Sequence, residues 1–121
     1  MTGSKRLNRI SSELKKTISK IIFNDLNVEE LKFATINHIK MSPDLSVATV
    51  YYTTIKTGKE DIENIDHLFR LSNKTIRMKI AKYLNLRIVP ELRFFYDDTL
   101  DNVFKIEELL NSIKKDKEAT E

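Results

Sequence analysis

Cysteine and tryptophan are absent from this sequence, glycine and proline occur only twice each, and there is no long apolar run. Without cysteine there are neither disulfides nor thiolate metal sites, so a reducing cytoplasm is the expected setting. With glycine confined to Gly3 and Gly58, no phosphate-cradling loop of the P-loop or dinucleotide kind can be built. No window approaches the roughly 18 apolar residues of a membrane helix. The opening Met1-Thr2-Gly3-Ser4-Lys5-Arg6 also lacks the apolar stretch of a secretory signal. The two histidines, His38 and His67, stand 29 positions apart with no ligand spacing around either. Catalysis and metal binding are therefore not expected, and neither is a cofactor.

What is present is charge, and it is segregated. The 121 residues suit a single domain over 1–121, with 40% hydrophobic and 32% charged residues and a net charge of +3. Residues 1–23 and 72–93 each carry +5, whereas 24–71 carry −3 and 94–121 carry −4. Two basic segments set against two acidic ones favour a polyanion on one face more than the total suggests.

Hydrophobic spacing gives the order of elements. Ile10, Leu14, Ile18, Ile21 and Ile22 form one stripe of an amphipathic helix over about 6–24, with Arg6, Arg9, Lys15, Lys16 and Lys20 off it. Residues 32–41 read as a strand in which Ile36 and Ile39 share a face only if a bulge intervenes. Ser42-Pro43-Asp44 is a turn, and residues 46–55 form a second strand with Ala48, Val50 and Tyr52 on one face. Thr57-Gly58-Lys59-Glu60 has the form of a capping box. The helix that follows carries Ile62, Ile65, Leu68 and Phe69, meets a kink or short break at Ser72, Asn73 and Lys74, and resumes at Ile76 and Ile80. Pro90 ends it, and Leu92 to Tyr96 read as a third strand. Ile106, Leu109, Leu110 and Ile113 suggest a final helix, with Leu110 and Ile80 as core positions and 114–121 as a disordered tail beyond an ordered 6–113. The expected class is α+β: a three-stranded sheet with helices on one face.

The stretch 72–98 carries six basic residues, Lys74, Arg77, Lys79, Lys82, Arg87 and Arg93, and between them a single acid before the strand, Glu91. A basic helix running into an aromatic strand suits an acidic partner; the plainer reading is a solvated helix face. The helix–strand–strand–helix–helix–strand order is that of a type II KH domain. The sequence resembles the ribosome-binding factor A family through Met41-Ser42-Pro43-Asp44-Leu45-Ser46-Val47-Ala48 with Val50-Tyr51, through Ile76-Arg77, and through Leu86-Arg87-Ile88-Val89-Pro90-Glu91-Leu92-Arg93-Phe94-Phe95-Tyr96-Asp97. Two departures stand out. The family's Ala-x-Gly at the helix junction is replaced by Ser72-Asn73-Lys74, and its Asp-Pro-Arg after the first helix by Asn24-Asp25-Leu26-Asn27.

The resemblance implies a binding protein, not an enzyme, that attaches to the free 30S small ribosomal subunit and 16S rRNA. It further implies help in late maturation and 5′-end processing of that rRNA, with a role in cold adaptation. No membrane or small-molecule substrate is expected, and the protein should be a monomer. The expected RNA contacts are Lys74, Arg77, Lys79, Lys82 and Arg87, with Arg6, Arg9, Lys15 and Lys16 as a second site. Of these, Arg77 and Arg87 match family positions and the others rest on charge and exposure. Arg77 has a scaffold reading too, as partner of an acid such as Asp97. Tyr51, Phe95 and Tyr96 have the chemistry to stack on bases, though core and strand pairing account for such residues more often. Asp97, Asp98 and Asp101 fit turn and cap roles better than a Mg²⁺ site. Two readings of other classes remain: an adaptor whose basic surface meets an acidic protein, and a small hydrolase dependent on His38 or His67.

Overall fold

In the computed structural model, residues 2–56, 58–99 and 109–111 are described. Helix α1 (Thr2–Lys20) buries Leu14 and Ile18 and passes into one π-helical turn, Ile21–Asp25. That turn is closed by Leu26 N–H donating to Ile21 O, five residues back, at 2.9 Å. Its wider pitch lets Ile21, Ile22 and Leu26 all enter the core. A 3-10 turn (Glu29–Phe33) then leads into β1 (Ala34–Met41), β2 (Val47–Thr54), helix α2 (Lys59–Leu84) and β3 (Glu91–Tyr96).

The sheet order is β1-β2-β3, with β1 antiparallel and β3 parallel to β2. The expected bulge is present: Ile36 pairs with Tyr52 and His38 with Tyr51, leaving Asn37 as the extra residue. Ile36, Ile39 and Met41 therefore join Ala48, Val50, Tyr52, Leu92 and Phe94 on one buried face. Helix α1 packs over β1 and α2 over β3, so both lie on that buried face and the other, open face carries neither of them. Phe69 anchors α2, stacked on Phe94 at 4.5 Å and tilted against Tyr52 at 4.7 Å. The Tyr52 hydroxyl donates to Asp66 Oδ1 at 3.2 Å. Burial, then the neighbouring Asp66 charge, raises its pKa.

Four expectations are corrected. Of the kink or short break expected at Ser72, Asn73 and Lys74, the break is absent: α2 is one continuous helix there, because none of these residues removes a backbone N–H or demands a positive φ. It ends not at Pro90 but at Asn85, which takes the left-handed conformation (φ 47°, ψ 40°) that asparagine tolerates. Its N-cap is Gly58, which makes no side-chain cap bond, so a capping box starting at Thr57 is one residue early; Thr57 lies outside the described residues. Leu110 is 55% exposed, so it is not a core residue. Helical spacing shows that a segment has an apolar side, not that a neighbour covers it. Ile106, Ile113 and the tail 114–121 lie outside the described residues.

The β1–β2 turn is held by one carboxylate. Ser42 and Ser46 hydroxyls each donate to Asp44 Oδ1 at 2.7 Å, and Ser46 N–H donates to it at 3.1 Å. These bonds, with Ser46 foremost, lower the Asp44 pKa from 3.8 to about 2. A folded value below the ordinary one means the contribution is complete above about pH 4 and is lost as pH falls towards 2. The Tm difference between wild type and Asp44→Asn is expected to be largest near neutral pH and to shrink through that window. A constant difference down to pH 2 would show that the charge on Asp44 is irrelevant.

Candidate nucleic-acid interface

Helix α2 buries Ile65, Phe69, Ser72, Ile76 and Ile80, and that stripe fixes where every basic residue of the helix must stand. On the flank towards β3, Asn73 Nδ2 donates to Leu92 O at 2.9 Å. One turn on, Arg77 donates from Nε to Pro90 O at 3.1 Å and from Nη2 to Val89 O at 3.0 Å. Arg77 is half-buried and engaged with backbone carbonyls, not with Asp97. Its position is thus that of a clamp between α2 and the segment entering β3. Of the trio expected at a break, Ser72 is buried and Asn73 braces the edge strand; only Lys74 is exposed.

The opposite flank of α2 faces α1. Tyr83 donates from its hydroxyl to Asp25 Oδ2 at 2.6 Å, which raises the tyrosine pKa, and Lys20 Nζ lies 4.7 Å from the Tyr83 ring centroid. Lys79 is one helical turn before Tyr83, and Lys16 one turn before Lys20, so each shares a helix face with its partner. Lys79 is half-buried, while Lys16, Lys20 and Lys82 are exposed. The two basic segments of the sequence therefore meet along the α1–α2 flank. Lys20, which is not among the expected RNA contacts, is the link between them; its spacing of four from Lys16 is the signal that could have found it.

The remaining candidates are dispersed. Arg6 and Arg9 are exposed near the start of α1, with Arg9 Nε 3.9 Å from Glu13 Oε1. Lys15 lines a groove between α1 and β1, and Arg87 is exposed on the connection between α2 and β3. Tyr96 sits on the helix-covered side against Tyr52, whereas Tyr51 and Phe95 belong to the open face. Asp97 accepts from the Thr99 hydroxyl at 2.6 Å and the Thr99 N–H at 3.1 Å, bonds that lower its pKa and make it a turn residue. Asp101 lies outside the described residues. The histidines are on opposite sides of the sheet: His38 on the open face, His67 on α2. No group of three or more His, Asp or Glu able to hold a metal occurs among the described residues, nor does a helix long and apolar enough to cross a membrane.

A family model described as ribosome-binding factor A matches residues 6–110. Ribosome-binding factor A of Francisella tularensis subsp. novicida is 43% identical over 108 residues, covering 89% of this chain and 74% of its own. That of Macrococcus caseolyticus is 37% identical over 114 residues, covering 94% and 99%. The crystal structure of ribosome-binding factor A from Thermus thermophilus superposes with a TM-score of 0.63 at 18% identity, over 74% of this chain and 94% of that one. Coordinates of the Thermus thermophilus factor fitted into the cryo-EM map of a 30S complex give 0.62 at 19% identity, over 75% and 94%. The two structural likenesses speak for the fold; the sequence matches speak for the family. On those matches, which span every strand, α2 and most of α1, this chain belongs to the ribosome-binding factor A family.

Proposed function

We propose that this protein attaches to the free 30S small ribosomal subunit through 16S rRNA and assists its late maturation, including 5′-end processing, with a role in growth in the cold. It works by binding, as a monomer in the cytoplasm, without turnover. The observation that carries this reading is the α1–α2 flank, where Lys20 reaches the Tyr83 ring and Lys16 and Lys79 lie one turn away on the same helix faces, with Lys74 and Lys82 exposed on α2. Lysines are point charges suited to phosphate oxygens, and such contacts position a protein without reading sequence. A protein that binds one pairing of an rRNA helix better than another shifts the population towards it by that difference alone. Ser72 and Asn73 serve the scaffold in this reading, and Arg77 contributes chiefly by holding β3 in place.

Affinity for isolated free small subunits, measured across salt concentrations, tests the proposal. If about four to six phosphates are neutralised, log K falls against log salt with a slope of roughly −3 to −5. A slope near zero would overturn it. Undiminished binding to small-subunit proteins stripped of rRNA would favour the adaptor with an acidic protein partner.

A further inference from the structure

The face of the sheet away from both helices carries an aromatic rung that crosses all three strands. His38 on β1 pairs with Tyr51 on β2, which pairs with Phe95 on β3. The His38 and Tyr51 rings are stacked, with centroids 4.5 Å apart and planes 20° from parallel. Tyr51 and Phe95 are farther apart, at 6.3 Å and 34°. Phe95 is 50% exposed, a large apolar side chain left in solvent on a strand whose neighbours Leu92 and Phe94 are buried. Together the three rings form a platform on which bases can stack from the solvent side.

One step along the strands, the next rung is Lys40, Thr49 and Arg93, basic at both ends. At the β1 edge, two adjoining grooves of about 320 and 260 Å³ run between β1 and α1. His38 lines both, Lys40 lines the first and Lys15 the second. Two acids share this face. Glu91 Oε2 lies 3.5 Å from Arg93 Nη2 in an exposed pair of little strength, and Asp97 is occupied by Thr99 and Asn37. Lysines along the β1 edge beside a ring platform match a polynucleotide strand: phosphates at the edge, bases on the rings. An acidic peptide would use the lysines and leave the rings idle.

We propose that this open face binds an unpaired RNA strand, with bases stacking on the His38–Tyr51–Phe95 rung and the backbone passing Lys15 and Lys40. The inference rests on the small-subunit reading for its choice of RNA but concerns the opposite face of the sheet from α2. Single-strand platforms gain from each aromatic ring, and losing one commonly weakens binding by about fivefold to a hundredfold. The probe is a fluorescently labelled nine-nucleotide oligoadenylate, with a blunt RNA duplex as control. Tyr51→Leu is expected to weaken oligoadenylate binding about tenfold or more while leaving duplex binding unchanged; Tyr51→Phe keeps the ring and should bind as wild type. Phe95→Leu, at a more exposed site, carries the comparison if Tyr51→Leu melts early. A folded leucine variant that binds oligoadenylate like wild type would overturn the inference. It would be overturned too if wild type ignores the oligoadenylate yet binds small subunits, a result that spares the function proposed above. If Tyr51→Leu keeps oligoadenylate but loses small subunits, the face meets protein and the inference fails. Ring-dependent oligoadenylate binding by a protein with no affinity for small subunits would support it while removing that function.

Discussion

Ile80→Ala is expected to lower stability by about 2–5 kcal/mol, the range for large-to-small changes at fully buried sites. Ile80 has no exposed surface and lies on the α2 stripe with Ile76, one turn before it. Removing three carbons leaves a void that the surrounding helices and sheet can close only in part. Urea denaturation of Ile80→Ala and Leu110→Ala gives an internal contrast, since Leu110 is exposed and its truncation should change stability by about 0.5 kcal/mol or less. Equal midpoints for Ile80→Ala and wild type would show that α2 does not sit on the sheet in this register.

Arg77→Ala is the second large effect, and its sign distinguishes scaffold from site. The guanidinium bridges two successive carbonyls, Val89 O and Pro90 O, from half-buried ground. Hydrogen bonds to a charged group are worth about 1.5–3 kcal/mol each, so its loss should lower Tm clearly, where truncation of exposed Lys74 or Lys82 should not. Arg77→Lys restores little, because an ammonium lacks the planar fork that reaches both carbonyls. Thermal melts of the Ala and Lys variants check this; a wild-type Tm for Arg77→Ala would return the residue to the binding surface.

The strands are legible in the sequence because period-2 burial leaves a direct mark: Ala48, Val50 and Tyr52 alternate with partly exposed neighbours, and the misfit of Ile36 with Ile39 announces the bulge at Asn37. Helix α1 is legible in its stripe, although the π turn that lets Ile21 and Ile22 both enter the core is not. The break expected in α2 follows from weak propensity and from the family's pattern. The helix stays whole because Ser72 is small enough to bury and Lys74 is a good helix former. Arg77 illustrates why charge alone misleads. A guanidinium in sequence looks solvated, and its carbonyl partners 12 and 13 residues away appear only once β3 is docked. The aromatic rung depends likewise on cross-strand register, which no single strand records.

The role proposed for the lysines on and beside α2 is to hold the protein on rRNA phosphates, a role Arg77 does not share. Its most direct test is the affinity of Lys74→Ala/Lys79→Ala/Lys82→Ala for isolated free small subunits, measured across salt beside wild type and folded Arg77→Ala. Each lost phosphate contact lowers the salt slope by about one. The triple variant is expected to melt close to wild type, bind at least about tenfold more weakly at low salt and show a slope shallower by roughly 2–3. Arg77→Ala, below its melting range, should keep most of its affinity. A triple variant with wild-type affinity and an unchanged slope would contradict the account.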